Sequence, residues 1–228
     1  NNLNFNVNCI YLTASGGPLH KVPLSKFKKI KISDVLKHPN WKMGKKISID
    51  SATLMNKVFE VIEAKKIFNI PYKKLKILIH PKSYVHALLK FNDGMIKIIA
   101  HDTDMKIPIY NSLLFKKKFI LKTKELDIKK LNNLNFQKIN KKKFPLINIL
   151  SKLPNSESLF ETVIVATNDE FVKLYLNNKI QFNELSNKIY SFISLPEFAK
   201  YKLIKPQKIN TIEKLNSYVR LKINKLSV

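Results

Sequence analysis

Apolar residues change their spacing several times along the chain, and each change predicts an element. Cys9 to Ala14 is a short apolar run, read as a strand, that leads into Ser15-Gly16-Gly17-Pro18. Two glycines before a proline predict a tight turn, where backbone N–H groups can come close to a ligand. Ser25 to Lys37 alternates loosely and predicts a short helix. His38-Pro39-Asn40-Trp41-Lys42-Met43-Gly44 is bracketed by proline and glycine and reads as a loop. Trp41 and Met43 would normally seek a core, so this loop either packs on the core or closes over a ligand. Ser51 to Phe68 is the clearest helix. Steps of about 100° put Leu54, Met55, Val58, Phe59, Val61, Ile62 and Phe68 on one arc, opposite Asn56, Lys57, Glu60 and Glu63. Asp50 or Ser51 is expected to cap its N-terminus.

Period-two runs follow at Leu75 to His80, Tyr84 to Phe91 and Met95 to Ala100. Asn92-Asp93-Gly94 joins the last two as a hairpin turn. From Lys116 to Lys143 the chain is polar and lysine-rich. Helical spacing then returns at Leu146, Ile149, Leu150 and Leu153, at Phe171, Leu174 and Tyr175, and at Leu185, Ile189, Phe192 and Ile193. Ile212 to Ile223 forms a last helix. The fold class expected is α+β: a catalytic domain at 1–115 with a small, largely antiparallel sheet and helices, a linker at 116–143, and a C-terminal all-helical bundle at 144–228.

Composition alters this picture little. Hydrophobic residues make up 45% of the 228, enough for a core. Cys9 is the single cysteine, which excludes an internal disulfide. No apolar run has membrane-span length. The start at Asn1, with a strand-like run close behind, suggests a piece of a longer protein or a processed one. A net charge of +26 raises nucleic acid as a partner. The lysines are scattered, however, and Arg220 is the sole arginine, the residue type best suited to phosphate and base recognition. No specific nucleic-acid partner and no membrane partner are expected. A lysine-rich nucleic-acid-binding protein stays as the alternative from another class.

The residues that could carry chemistry gather at the helix expected from Ser51. Helix N-termini attract anions. Ser51 offers a hydroxyl, Asn56 an amide and Lys57 a point charge. Glu60 lies one turn beyond Asn56, and its oxygens suit Mg²⁺ or Mn²⁺. Lys57 and Glu60 at i,i+3 also read as an ordinary surface ion pair. His80 and His86, six apart, are more often core histidines than ligands. His101-Asp102-Thr103-Asp104 matches no standard metal spacing, and Cys9 reads as an inert buried thiol.

Taken together, several stretches resemble the 1-deoxy-D-xylulose 5-phosphate reductoisomerase family. They are Leu12 to Pro18, His38 to Lys57, Ile79-His80-Pro81, and Asp104-Met105 with Pro108-Ile109. The resemblance is strong from about Leu12 to Pro108 and thin beyond, where Ala166-Thr167-Asn168-Asp169-Glu170 matches only loosely. It implies an NADPH- and divalent-metal-dependent (Mn²⁺ or Mg²⁺) isomerisation and reduction to 2-C-methyl-D-erythritol 4-phosphate, an isoprenoid-precursor step. By matching position, Ser15, His38, Trp41, Ser51, Asn56 and Lys57 would bind the small phosphosugar substrate, and His38 and Lys57 would be catalytic. Glu60 would be a metal ligand, with Glu63 in support, and Met105 would bind the cofactor. Trp41 and Met43 would ride on a closing loop, and His86 would lie near the pocket wall. The resemblance further implies a homodimer in a bacterial cytoplasm or a plastid-type organelle. The family's dinucleotide-binding domain, and the Asp-x-Glu pair that completes its metal site, have no counterpart in these residues. The isolated chain is therefore expected not to turn over. Val58 replaces a usual glycine, and His101-Asp102-Thr103 replaces a usual Gly-x-Pro. A catalytically dead remnant is a second alternative.

Overall fold

The computed structural model describes residues 7–37, 43–113 and 120–226. The loop residues His38 and Trp41 lie outside them. The chain divides into two compact units, residues 1–16 with 63–139, and residues 17–62 with 140–228.

Among the described residues the first unit holds four strands, β1 (Val7–Ala14), β2 (Leu75–Ile79), β3 (Val85–Phe91) and β4 (Ile96–Ala100), in the order β2-β1-β3-β4. β1 runs parallel to β2, with Ala14 beside Ile79, and antiparallel to β3. The β3–β4 pair is antiparallel. The sheet is thus mixed but largely antiparallel, as the strand and turn pattern predicts. Alternation places Val7, Cys9, Leu75, Ile79 and Val85 in the core. The hairpin closes at Asn92-Asp93-Gly94: Gly94 has φ 88°, and the Met95 N–H donates to Asp93 Oδ1 at 3.0 Å. The stretch read as a linker is not bare connection. It carries a short helix at Ile128–Asn132, capped by Asp127, and Gln137 bridges to Ile79. A helix at Lys106–Leu113 was hidden in the sequence, because none of its residues is buried and its apolar spacing is weak.

The second unit is helical. In chain order, α1 spans Ile32–Leu36, α2 Lys45–Thr53 and α3 Met55–Phe68, the last running on into the first unit. The helices at 106–113 and 128–132 are α4 and α5. After them come α6 (Phe160–Leu176), α7 (Phe182–Ile193) and α8 (Ile209–Leu226), with 3-10 turns at Leu24–Lys29, Pro145–Lys152 and Pro196–Lys202. α6 is the axis of the bundle: Phe160, Val163, Ile164, Phe171, Val172 and Leu174 are buried, and α2, α7 and α8 pack around it. The units therefore do not part at 115 and 143. Residues 17–62 join the C-terminal bundle because α2, in which Ser48 to Thr53 are buried, packs on α6, a contact between residues more than 100 positions apart that local spacing cannot reveal.

A candidate substrate and metal site at the α2–α3 junction

The single helix expected over Ser51–Phe68 is two helices. α2 begins earlier, at Lys45, and ends at Leu54, which is left-handed with φ 59° and ψ 19°. This conformation costs a non-glycine residue about 1–2 kcal/mol. Burial of Leu54, which is 1% exposed, offsets it. The Thr53 hydroxyl spans the break: it donates towards the carbonyls of Ile49 and Asp50 and accepts from the Met55 N–H. Neither Asp50 nor Ser51 caps a helix. Ser51 lies in the last turn of α2, where its carbonyl accepts from the Leu54 N–H. The first turn of a helix belongs instead to Met55, Asn56 and Lys57. The sequence hid the junction because the apolar arc runs through it unbroken, with no glycine or proline.

On α3, Asn56 Nδ2 donates to Glu60 Oε1 at 3.3 Å, and Lys57 Nζ donates to Glu60 Oε2 at 2.6 Å. Lys57 does not snorkel into water as a polar arc would have it. Its side chain is 8% exposed, while that of Glu60 is 43% exposed. A cation is thus held in the protein with its carboxylate partner half in solvent. Half in solvent, Glu60 can turn towards another cation. Among the described residues no three His, Cys, Asp or Glu side chains are placed to hold a metal ion. The oxygen chemistry of Glu60 suits Mg²⁺ or Mn²⁺, but it is one ligand of a set. Glu63, one turn on, is exposed.

The glycine turn proves to be a packing device. Gly17 has φ 67°, and a Cβ there would lie 2.5 Å from the Ser51 carbonyl oxygen and 3.1 Å from the Ala52 Cα. Only glycine allows the loop to seat on the C-terminal end of α2. Behind that end lies a buried polar cluster. The Asp50 carboxylate, 0% exposed, accepts from Asn168 Nδ2 of α6 at 2.8 Å and pairs with Lys46 Nζ at 2.8 Å. Lys46 also reaches Asp169 at 3.0 Å, and Arg220 of α8 pairs with Asp169 at 2.8 Å and with Glu170 at 3.3 Å. Burial raises the Asp50 carboxyl above its usual range, more than Lys46 and Asn168 lower it. Burial lowers Lys46, but its hydrogen bonds and charge pairing with Asp50 and Asp169 outweigh that and leave it raised. Both groups are raised, but for opposite reasons: burial prevails at the enclosed Asp50 and disfavours its charge, whereas pairing prevails at the nearly half-exposed Lys46 and favours its charge.

The remaining candidates are placed as follows. Ser15 leaves the C-terminal end of β1 in the first unit, beside the end of β2, where the His80 N–H donates to the Ala14 carbonyl at 2.7 Å. Met105 sits at the start of α4, 52% exposed. His80 is fully buried, its Nδ1 2.9 Å from the Asn135 carbonyl and its ring stacked on Phe136, a structural role. His86 stacks on His101 with centroids 3.6 Å apart. Asp102 is tied to Lys130 at 2.8 Å rather than to a metal cluster. Spacing alone missed Asp50 and Asn168, whose partnership crosses 118 positions.

The fold agrees with that of known proteins. Residues 1–68 match the family profile of the 1-deoxy-D-xylulose 5-phosphate reductoisomerase C-terminal domain, and residues 101–222 match that of the DXP reductoisomerase C-terminal domain. The 1-deoxy-D-xylulose 5-phosphate reductoisomerase of Pelagibacter ubique is 58% identical over the whole chain, which covers 59% of that protein. The enzyme of the same name from Aquifex aeolicus is 35% identical over 95% of the chain and 56% of its own length. A solved DOX-P reductoisomerase in complex with NADPH, fosmidomycin and magnesium superposes with a TM-score of 0.86 at 27% identity, over 97% of this chain and 55% of that one. The Zymomonas mobilis enzyme in complex with NADPH gives 0.83 at 28%, over 97% and 56%. The chain thus spans somewhat more than half the length of these relatives. On the profile matches and the identity along its full length, this chain belongs to the 1-deoxy-D-xylulose 5-phosphate reductoisomerase family.

Proposed function

We propose that this chain supplies the substrate- and metal-binding part of a reductoisomerase that converts 1-deoxy-D-xylulose 5-phosphate to 2-C-methyl-D-erythritol 4-phosphate with NADPH. The observation that carries this reading is the Asn56–Lys57–Glu60 cluster at the start of α3, where a buried lysine and a half-exposed carboxylate meet. Lys57 and Asn56 bind and orient the substrate with Ser51, and Glu60 contributes one oxygen to the divalent ion. The metal, when bound, acts as Lewis acid and template for the keto-alcohol oxygens. Lys57 holds negative charge as a point charge, and binding energy from the remote phosphate orients the reacting end. Ser15, His38 and Trp41 belong to the same substrate role, His38 with Lys57 in catalysis, and Met105 to the cofactor.

A bacterial cytoplasm or a plastid-type organelle is the compartment that goes with this reading, and a homodimer is the assembly. Its support is β4, an edge strand bonded only to β3 among the described strands, with Ile96, Ile98 and Ile99 each about half exposed or more. An apolar edge of this kind is an aggregation hazard unless covered, and a second copy would cover it. Among the described residues no helix is long and apolar enough to cross a membrane.

The test assays the protein as its own gene expresses it for NADPH oxidation that depends on 1-deoxy-D-xylulose 5-phosphate and on Mn²⁺ or Mg²⁺. Substrate-dependent oxidation, lost in Glu60→Gln, is the expected result. Folded protein without it would overturn the reading. Sedimentation velocity of Ile98→Lys is expected to show monomer where the parent is a dimer.

A further inference from the structure

The buried carboxylate Asp50 has no place in the chemistry just proposed, and its surroundings are unusual. It is wholly enclosed, it sits one residue before Ser51, and its partners come from two sources: Lys46, one turn back on α2, and Asn168 on α6. Burying a carboxylate costs several kcal/mol before pairing, and an apolar pair of similar size in its place is often no less stable. An apolar contact, however, leaves a helix free to slide and rotate by small amounts. A 2.8 Å hydrogen bond between two fully buried side chains does not. The segment it fixes is the one on which precision matters. Ser51 follows at once, the Gly17 backbone is seated on the Ser51 carbonyl with no room for a Cβ, and the left-handed Leu54 launches α3 with Asn56 and Lys57 in its first turn.

We infer that Asn168 of the helical bundle, through its hydrogen bond to Asp50, is a positioning residue for substrate binding at Ser51 and the start of α3. The inference rests on the reductoisomerase reading. It extends the site to α6 of the C-terminal bundle, within residues 101–222 that match the family profile, where the sequence by itself showed only a loose resemblance. Lys46, Asp169 and Arg220 continue the same tie to α8. The groups facing Asp50 are Lys46 from its own helix and Asn168 and Asp169 from α6. Asp169 is a like charge, compensated by Lys46 and Arg220. The raised carboxyl of Asp50 supports the inference: the cluster is not arranged for maximal stability, so orientation is a better account of it.

The test compares Asn168→Asp, which sets two carboxylates against each other, with the exchanged double variant Asp50→Asn/Asn168→Asp, which restores an amide–carboxylate pair. All are made in the protein as its gene expresses it. The expected result is a KM for 1-deoxy-D-xylulose 5-phosphate raised about tenfold in Asn168→Asp, with kcat within about twofold, and most of the KM recovered in the double variant. A purely structural role would lower the amount of active enzyme, and hence apparent kcat, at unchanged KM; that outcome overturns the inference. If Asn168→Asp fails to fold, Asn168→Ala takes its place with the same KM criterion. An inactive parent protein would overturn the reductoisomerase reading itself, and the inference with it. An active parent with unmoved KM overturns the inference alone.

Discussion

Replacing Gly17 with alanine tests the closest approach in the site. The residue has φ 67°, and the new Cβ would stand 2.5 Å from the Ser51 carbonyl oxygen and 2.9 Å from its carbon. Two costs add. An L-residue in the left-handed region loses about 1–2 kcal/mol. Forcing backbone off backbone adds about 1–3 kcal/mol. The expected total is about 2–5 kcal/mol. Gly94 is the matched control: it has φ 88°, but nothing lies within 4 Å of its Cβ position, so Gly94→Ala should cost only the conformational part. Urea unfolding followed by far-ultraviolet circular dichroism reads both. With a slope of about 2 kcal/mol per molar, Gly17→Ala moves the midpoint of its unit down by roughly 1–2.5 M. Gly94→Ala moves the midpoint of its own unit by under about 1 M. Equal shifts in the two variants would show that the loop does not need its seat on α2, and would remove the packing explanation for the glycine turn.

Two further outcomes follow from particular side chains. On the proposed role of Lys57, Lys57→Met removes a charge-assisted partner of substrate but leaves Glu60 with access to solvent. It should lower kcat/KM roughly 10- to 100-fold, the worth of one such bond, while stability falls by no more than about 1 kcal/mol; thermal melts and steady-state rates together check this, and a loss confined to stability would count against the site. Tyr175 is held up to about 12 by burial, with a smaller contribution from Asp34. Its raised value means that stability is intact below the unfolded pKa near 10 and falls as pH rises from 10 towards 12, because only the unfolded chain ionises freely there. Tyr175→Phe should flatten that alkaline decline in chemical-denaturation curves taken every half pH unit, and an unchanged decline would assign it to other groups.

Much was legible in the residues themselves. The four strands, the Asn92-Asp93-Gly94 hairpin, the apolar face of α3 and the helical character of 160–226 follow from period and turn chemistry, which are local properties of the chain. The ion pair of Lys57 with Glu60 follows equally from its i,i+3 spacing. Four outcomes were decided by tertiary structure. Leu54 breaks the helix because burying its side chain outweighs a left-handed backbone, and no local signal marks that exchange. Lys57 is enclosed although its helical arc reads as polar, because neighbouring chain covers it. Gly17 touches a carbonyl 34 residues away, a close approach that the glycine turn by itself does not foretell. Residues 17–62 join the C-terminal bundle because α2 packs on α6, and a contact such as that of Asp50 with Asn168, across 118 positions, has no periodicity to betray it. Sequence determined which residue types the site holds and which elements carry them. Packing decided where those elements end and which distant side chains hold them still, since long-range contacts are set by shape and burial and not by spacing along the chain.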